Sequence, residues 1–107
     1  MSILEKLEKN GINISLSEIK IIVERYNIKE LSIFGSSIRD DFNSDSDIDL
    51  LIEFHNSQNI SLFDIIDIQE YFENITKRSV DIVEPAGLTN PYRKESILNS
   101  KEVLYVA

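Results

Sequence analysis

The sequence predicts an α/β (α+β) fold in which helices cover one face of a small mixed β-sheet. Segments with apolar residues at helical spacing alternate along the chain with short segments of strand type. Only three glycines and two prolines interrupt the 107 residues, and no internal repeat is present. Because a chain of this length has room for one hydrophobic core, we expect a single domain over residues 1–107.

Two helices and one strand are predicted in the first third of the chain. A short helix covers residues 3–9. Ser15 and Glu18 have the spacing of a capping box, which begins a second helix that continues to about Tyr26. The strand follows at residues 30–34, ELSIF, and ends at a glycine.

The rest of the chain predicts three further strands and two helices. Residues 47–54 have the strongest strand pattern, because every second residue is apolar. A helix over residues 61–76, with Ser61 as its cap, places its apolar residues on one face, and a short strand follows at 79–85. A helix over 91–100, with a proline in its first turn, and a strand over 102–106 complete the fold.

The charge balance and the absence of cysteine exclude several classes of function. Nineteen acidic residues against eleven basic ones give a formal net charge of −8, so we expect no direct binding of nucleic acid. A phosphorylated ligand would need a cation between itself and the protein. Without cysteine there is neither a disulfide nor a thiolate metal site. The chain has no signal-peptide pattern and no apolar run of membrane-spanning length, so we expect a cytoplasmic protein without membrane contact.

Asp47 and Asp49 lie at the start of the strongest predicted strand. Alternate residues of a strand share a face, so both carboxylates point away from the core, with their Cα atoms about 6.5–7 Å apart. At that distance, with an effective dielectric constant of about 20, two carboxylates repel each other by about 2–2.5 kcal/mol. A divalent cation between them converts the repulsion into attraction, and hard oxygen ligands favour Mg²⁺ or Mn²⁺.

Asp81 has the same relation to the third predicted strand. Val80 and Ile82 are expected to face the core, which leaves Asp81 on the opposite face. If the two strands are neighbours, Asp81 joins Asp47 and Asp49 as a third ligand or as a general base. Three carboxylates on adjacent strands are typical of two-metal phosphoryl-transfer sites, in which the ions lie about 3.5–4 Å apart.

A second interpretation of the acidic residues is a solvated surface. Asp40 and Asp41 fit a turn, Asp45 fits a turn or the entry to the strand, and antiparallel sheets often place acidic residues on the wet face. The pair Gly35-Ser36 favours a functional site. It follows a strand and begins a helical turn, where backbone N–H groups bind anions and glycine permits the close approach of a phosphate.

These motifs resemble the minimal members of the nucleotidyltransferase superfamily related to DNA polymerase β. The resemblance rests on Gly35-Ser36, ten intervening residues and Asp47-Ile48-Asp49. SVDIVEPAGL is similar to the segment that carries the third aspartate of the family, and YRKESILNSKEVLYV is similar to its C-terminal helix and strand. The resemblance covers about residues 15–107, with a motif core at about 28–107.

The resemblance implies a metal-dependent enzyme that transfers AMP from ATP to a hydroxyl group. Minimal members of this type act as antitoxins that modify a tyrosine of a HEPN-type toxin, with which they form a hetero-oligomer. By this likeness Asp47 and Asp49 hold two Mg²⁺ ions, with Mn²⁺ as a possible substitute. Asp81 completes the metal site and accepts the proton of the attacking hydroxyl.

The same resemblance implies a phosphate-binding role for three further residues. Gly35 and Ser36 seat the β- and γ-phosphates of ATP. Arg39 lies where the family often has an Ala-Arg-Gly sequence, and it contacts either phosphate or the partner. A surface arginine that is ion-paired with a neighbouring aspartate is the alternative for Arg39.

Two other functions stay open at this stage. The acidic chain could neutralise a toxin by direct binding without catalysis, because a negative surface suits a basic RNA-binding groove. A nucleotidyltransferase for a small molecule, of the antibiotic-modifying type, is the other alternative. A chain of 107 residues leaves little room for the separate acceptor-binding domain that such an enzyme needs.

Overall fold

The computed structural model describes residues 2–39, 42–43 and 45–106, and for Ser57 the backbone alone. Its helices are α1 (Ile3–Lys9), α2 (Leu16–Tyr26), α3 (Leu62–Thr76) and α4 (Pro91–Ser100). Its strands are β1 (Ile28–Phe34), β2 (Ile48–Phe54), β3 (Val80–Val83) and β4 (Glu102–Val106). The predicted fold class is confirmed, and the boundaries of these elements differ from the sequence prediction by at most two residues.

The four strands form one mixed sheet in the order β3-β2-β1-β4. β1 is antiparallel to both of its neighbours, β2 and β4, whereas β2 and β3 are parallel. Parallel neighbours need a crossover connection, and α3 provides it. The N-terminal ends of β2 and β3 therefore lie side by side, next to the C-terminal end of β1.

The starts of α2 and α3 follow from local hydrogen bonds. Ser15 Oγ accepts a hydrogen bond from the Glu18 N–H at 3.1 Å, and Glu18 Oε1 accepts one from the Ser15 N–H at 2.9 Å. Ser61 and Asp64 form the same reciprocal pair at the start of α3. Each pair satisfies two backbone donors that a helix N-terminus leaves without an intrahelical partner. Both capping serines predicted from the sequence are confirmed.

The main core lies between one face of the sheet and helices α1, α2 and α3. The strands contribute alternate residues with no exposed surface, including Leu31, Ile33, Leu50 and Ile52. The helices contribute apolar residues that are equally buried: Leu7, Ile19, Ile22, Ile68 and Phe72. Full burial of such a side chain contributes about 1.5–3 kcal/mol, so this face holds the sheet and three helices together.

α4 packs on the opposite face of the sheet. Its Ile97 forms a smaller buried cluster with Phe34, Leu51 and Leu88. Phe34 and Leu51 alternate with residues of the main core and so lie on the other face of the sheet. The prediction of helices on one face describes α1 to α3, whereas α4 covers the opposite face. No helix in the described part of the chain is both long enough and apolar enough to cross a membrane.

Candidate active site

Asp49 and Asp81 lie side by side on the face of the sheet opposite the main core. The register of the parallel strands β2 and β3 pairs these two residues directly. Adjacent strands are about 4.8 Å apart, so the two carboxylates leave the sheet on the same side at close range. Asp49 is half-buried, whereas Asp81 is exposed. Asp47 comes just before β2 and is also exposed. The structure therefore places Asp49 beside Asp81, with Asp47 two residues before Asp49.

A single turn of 3-10 helix over Gly35–Ile38, the Gly35 turn, follows β1 and lies against Asp49. Phe34, the last residue of β1, is the ladder partner of Asp49, so the chain leaves the sheet beside this carboxylate. Gly35 has a φ of +76°, which side chains rarely tolerate. A Cβ atom at this position would lie 2.5 Å from Asp49 Oδ2. Both the backbone conformation and the contact with Asp49 therefore require glycine.

The two serines of the Gly35 turn have different environments. Ser37 is fully buried, and its hydroxyl donates a hydrogen bond to the Phe34 carbonyl at 3.1 Å, which closes the turn on itself. Ser36 is half-buried, and its carbonyl accepts a hydrogen bond from the Arg39 N–H at 3.0 Å. Within the described residues the Ser36 hydroxyl forms no hydrogen bond. Ser36 is thus the serine with a hydroxyl available to a ligand, and Ser37 has a structural role that the sequence analysis missed.

The site concentrates negative charge. Burial raises the pKa of the Asp49 carboxyl above its ordinary value, and the neighbouring carboxylates of Asp81 and Asp47 raise it further. The positive charges of Arg93 and Arg39 lower the pKa of Asp49, and their effects are smaller than that of burial. A pKa shifted by burial and by specific charged neighbours is characteristic of functional sites.

Arg93 is a residue of this site that the sequence analysis missed. It lies in the first turn of α4, four residues before Ile97, so the two side chains share one face of the helix. Ile97 packs with Phe34, the ladder partner of Asp49, and this packing brings Arg93 near the carboxylates. Among the residues that the structure describes, Arg93 makes no ion pair. Its spacing from Ile97 is visible in the sequence, but the face of the sheet that α4 covers is not.

The segment between the Gly35 turn and β2 carries the other predicted residues. Arg39 is exposed at the end of the Gly35 turn. Asp45 is exposed in a turn in which its N–H donates to Asn43 Oδ1 at 2.8 Å, in agreement with the interpretation of Asp45 as a turn residue. Asp40 and Asp41, for which a solvated turn is predicted, lie outside the described residues.

Comparison with known proteins decides the family. The family model for the nucleotidyltransferase domain matches residues 16–104. The protein adenylyltransferase MntA of Thermococcus cleftensis is 32% identical over 106 residues, which cover 99% of this chain and 98% of MntA. The chain belongs to the nucleotidyltransferase domain family. The resemblance carried by the Gly-Ser and Asp-x-Asp motifs is confirmed.

Solved structures have the same fold as this nucleotidyltransferase. One, described as a minimal nucleotidyltransferase, matches with a TM-score of 0.70 and 27% identity and covers 95% of each chain. A chain from the crystal structure of a toxin–antitoxin with AMP-PNP matches with a TM-score of 0.69 and 12% identity. This second match covers 88% of the present chain and 75% of the other, and it concerns the fold alone.

The residues of the nucleotidyltransferase site fit a hard divalent cation. Asp49 and Asp81 offer paired carboxylate oxygens, the ligands that Mg²⁺ prefers, and a cation would offset the repulsion that raises the pKa of Asp49. In the described part of the chain, no three acidic or histidine side chains already surround one point as a metal site would. Convergence of Asp47, Asp49 and Asp81 on two ions stays a prediction.

In the absence of divalent cations, we expect the stability of the protein to fall as the pH rises through the pKa of Asp49. A raised pKa means that the folded protein holds the Asp49 proton more tightly than the unfolded chain does. The stabilising contribution is therefore complete at acidic pH, below the unfolded pKa, and is lost as Asp49 ionises beside Asp81, Asp47, Arg93 and Arg39. Thermal unfolding in EDTA across this pH range measures the loss.

Added Mg²⁺ should reverse this loss of stability. It is expected to raise the Tm by a few degrees at neutral pH and by much less at about pH 4, where protons compete for the Asp49 carboxylate. The Asp49→Asn variant serves as the control, because it should lose most of the pH-dependent part of the effect. A Mg²⁺ effect of the same size at both pH values, or one retained in Asp49→Asn, would contradict a cation site at Asp49.

Proposed function

We propose that this nucleotidyltransferase transfers AMP from ATP to a hydroxyl group of a partner toxin and so acts as an antitoxin. The observation that carries the proposal is the contact of the Gly35 turn with Asp49, which is paired with Asp81. This contact joins a glycine at a sharp turn, suited to the close approach of a phosphate, to paired carboxylates suited to a metal-bound triphosphate. Nucleotidyl transfer from an NTP requires both features within one site.

The choice of a protein acceptor is supported by the relatives. MntA of Thermococcus cleftensis, which aligns with almost the whole of this chain, is a protein adenylyltransferase. A neighbour in fold comes from a toxin–antitoxin solved with AMP-PNP. We infer that ATP is the nucleotide and that the partner is a HEPN-type toxin modified on a tyrosine. The net charge of −8 supports association with a basic, RNA-binding partner.

In the proposed reaction, the acceptor oxygen forms a bond to the α-phosphorus of ATP and pyrophosphate leaves. Gly35 and Ser36 seat the β- and γ-phosphates, and the free hydroxyl of Ser36 is a donor for a phosphate oxygen. Asp81, which is exposed beside Asp49, accepts the proton of the attacking hydroxyl. Arg39 and Arg93 lie near enough to Asp49 to stabilise additional negative charge on the phosphates.

The proposed cofactor is Mg²⁺, with Mn²⁺ as a substitute. Asp47, Asp49 and Asp81 would hold it, and when bound it neutralises charge on the triphosphate and aligns the α-phosphorus. The fold of the protein fixes the positions of these ligands. Asp49 and Asp81 are set by the register of two parallel strands, and Gly35 is set by the strand that ends beside Asp49.

The position of the label in ATP tests the proposed reaction. The protein is incubated with Mg²⁺, a HEPN-type toxin, and ATP labelled either at the α- or at the γ-phosphate. Transfer of AMP places label on the toxin only from α-labelled ATP. Asp47→Ala is expected to abolish transfer, whereas Asp45→Ala, which changes an exposed turn residue two positions earlier, should retain it. Label from the γ-position, or transfer by Asp47→Ala, would overturn the proposal.

Neutralisation by direct binding is the second candidate function. It is favoured by an apolar surface at the start of α3, where Leu62 and Phe63 are 73% and 77% exposed. Binding and catalysis separate in the variant Asp47→Ala/Asp49→Ala. If cells that carry the toxin and this double variant still grow, neutralisation results from binding alone. If their growth is arrested, neutralisation requires AMP transfer.

A further inference from the structure

We infer that Asn10 is a positioning residue for the nucleotide site, acting on the Gly35 turn from outside the matched family region. Asn10 ends α1, and the family model begins only at residue 16. Its side-chain amide Nδ2 donates to the Ser37 carbonyl at 2.9 Å and to the Arg39 carbonyl at 3.2 Å. One side chain thus binds two carbonyls of the turn that lies against Asp49. The inference rests on the proposed function and extends it to a residue without a catalytic role.

Asn10 is itself held in a fixed position. Its backbone N–H closes the last turn of α1, with a hydrogen bond of 3.0 Å to the Leu7 carbonyl, and the Ile12 N–H bonds to the same carbonyl at 2.8 Å. Leu7 and Ile12 are completely or almost completely buried in the main core. The side chain of Asn10 therefore projects from a backbone that is anchored on both sides. Its two hydrogen bonds therefore hold the end of the Gly35 turn at a fixed distance from the main core.

Arg78 binds the chain a few residues after the Gly35 turn. Its guanidinium lies 4.4 Å from the centre of the Phe42 ring, and Nη1 donates to the Asn43 carbonyl at 3.0 Å. The two anchors are adjacent, because a Cβ atom on Gly11 would lie 3.8 Å from Arg78 Nη2. Asn10 and Arg78 together bind the carbonyls of Ser37, Arg39 and Asn43, at the end of the Gly35 turn and in the connection from it to β2. We call this pair the Asn10–Arg78 clamp.

The clamp explains how a short turn is kept in place beside a repelling set of carboxylates. The Ser37 backbone is held twice, by its own hydroxyl bond to Phe34 and by the Asn10 bond to its carbonyl. Gly35 and Ser36 precede it directly, so movement of Ser37 changes their distance from Asp49. A displacement of about 1 Å in a reacting site is enough to lower activity by about 10²-fold. The clamp should therefore affect the binding of ATP rather than the stability of the fold alone.

Substitution of the Asn10 side chain tests the clamp. Asn10→Asp replaces the donating amide with an acceptor of the same shape, and Asn10→Ala removes it without adding charge. Asn13→Asp and Asn13→Ala are the matched controls, because Asn13 is exposed in the same N-terminal segment. We expect the Kd for Mg²⁺–ATP to rise at least tenfold in both Asn10 variants and to change less than twofold in the controls. Amide hydrogen exchange over residues 35–39 should become at least tenfold faster in the Asn10 variants only.

A second pair of variants tests the clamp independently, in case the Asn10 variants do not fold. Arg78→Lys keeps the charge but loses the planar guanidinium, and Arg25→Lys on the exposed side of α2 is its control. If amide exchange over residues 35–39 becomes faster in these variants while the Kd for Mg²⁺–ATP is unchanged, the clamp is purely structural and the inference is overturned. Amide exchange that is unchanged in these variants would overturn it as well. If the unsubstituted protein binds no ATP, the proposed function fails and the positioning role fails with it. If the unsubstituted protein binds ATP and the variants bind equally well, only the positioning role is refuted.

Discussion

Replacing Asp49 by asparagine is expected to lower kcat/KM for AMP transfer by about 10³-fold while the fold becomes more stable. Activity falls because a neutral amide would hold a divalent cation less well than a carboxylate does. The loss of one electrostatic contact in an active site typically lowers the rate by about 10²–10³-fold. Asp49 is the central residue of the site, since it touches the Gly35 turn and is paired with Asp81.

The increase in stability follows from the same electrostatics. Burial and the carboxylates of Asp81 and Asp47 disfavour the ionised form of Asp49 in the folded protein, as its raised pKa indicates. Asparagine is neutral at every pH and removes this repulsion. The Tm in EDTA at neutral pH should therefore rise by a few degrees. At acidic pH, where Asp49 is protonated in the folded and the unfolded state, the two proteins should have similar stability.

Glu53→Gln is the matched control for Asp49→Asn. Glu53 is four residues further along β2 on the same face of the sheet, and its side chain is 48% exposed. Its contact with Lys29, at 3.9 Å, is a surface ion pair that contributes little. Steady-state kinetics and thermal unfolding of both variants distinguish the roles. An Asp49→Asn protein that is less stable than the original, or one that is as active as Glu53→Gln, would refute the electrostatic account of the site.

The sequence predicts the face of its strand on which each carboxylate lies, because that information is local. Alternation along residues 47–54 and 79–85 assigns Asp49 and Asp81 to the face away from the core. The sequence leaves open whether the two strands are neighbours, and the parallel register of β2 and β3 then pairs the two residues. The capping serines of α2 and α3 are predictable for the same reason, since each bonds to a residue three positions away.

The features that sequence analysis missed depend on contacts between distant residues. Asn10 bonds to Ser37 across 27 positions, and no periodic pattern encodes such a contact. α4 has a single buried residue, Ile97, so its apolar pattern does not reveal that it covers the second face of the sheet. The position of Arg93 follows from that packing. Local rules therefore recover the elements and the face on which each acidic residue lies, whereas the pairing of Asp49 with Asp81 and the supporting residues become visible only in the folded chain.

Replacing Gly35 by alanine is expected to lower kcat/KM by at least about 10²-fold and to destabilise the protein. Alanine at a φ of +76° is unfavourable by about 1–2 kcal/mol. The added methyl group would also lie 2.5 Å from Asp49 Oδ2, so the carboxylate or the turn must move. Because a displacement of about 1 Å in such a site changes the rate by about 10²-fold, activity should fall even under conditions in which the variant is fully folded.

Gly87→Ala is the control for the same chemical change. Apart from Gly87 itself and its two chain neighbours, no heavy atom of the described residues lies within 4 Å of a Cβ atom built on Gly87, and the φ of Gly87 is not in the left-handed region. Alanine there should leave activity unchanged and alter the free energy of unfolding by less than about 1 kcal/mol, in the stabilising direction if at all.

A double-variant cycle separates the two causes of the Gly35→Ala effect. The strain of a positive φ is independent of residue 49, whereas the steric clash needs the Asp49 carboxylate. Denaturant unfolding of Gly35→Ala, Asp49→Ala and the combined variant measures their coupling. We expect Gly35→Ala to destabilise the Asp49→Ala background less than it destabilises the original protein, by about 1 kcal/mol or more. Strict additivity would mean that the Gly35 turn does not lie against Asp49, and the joint phosphate and metal site inferred from that contact would not exist.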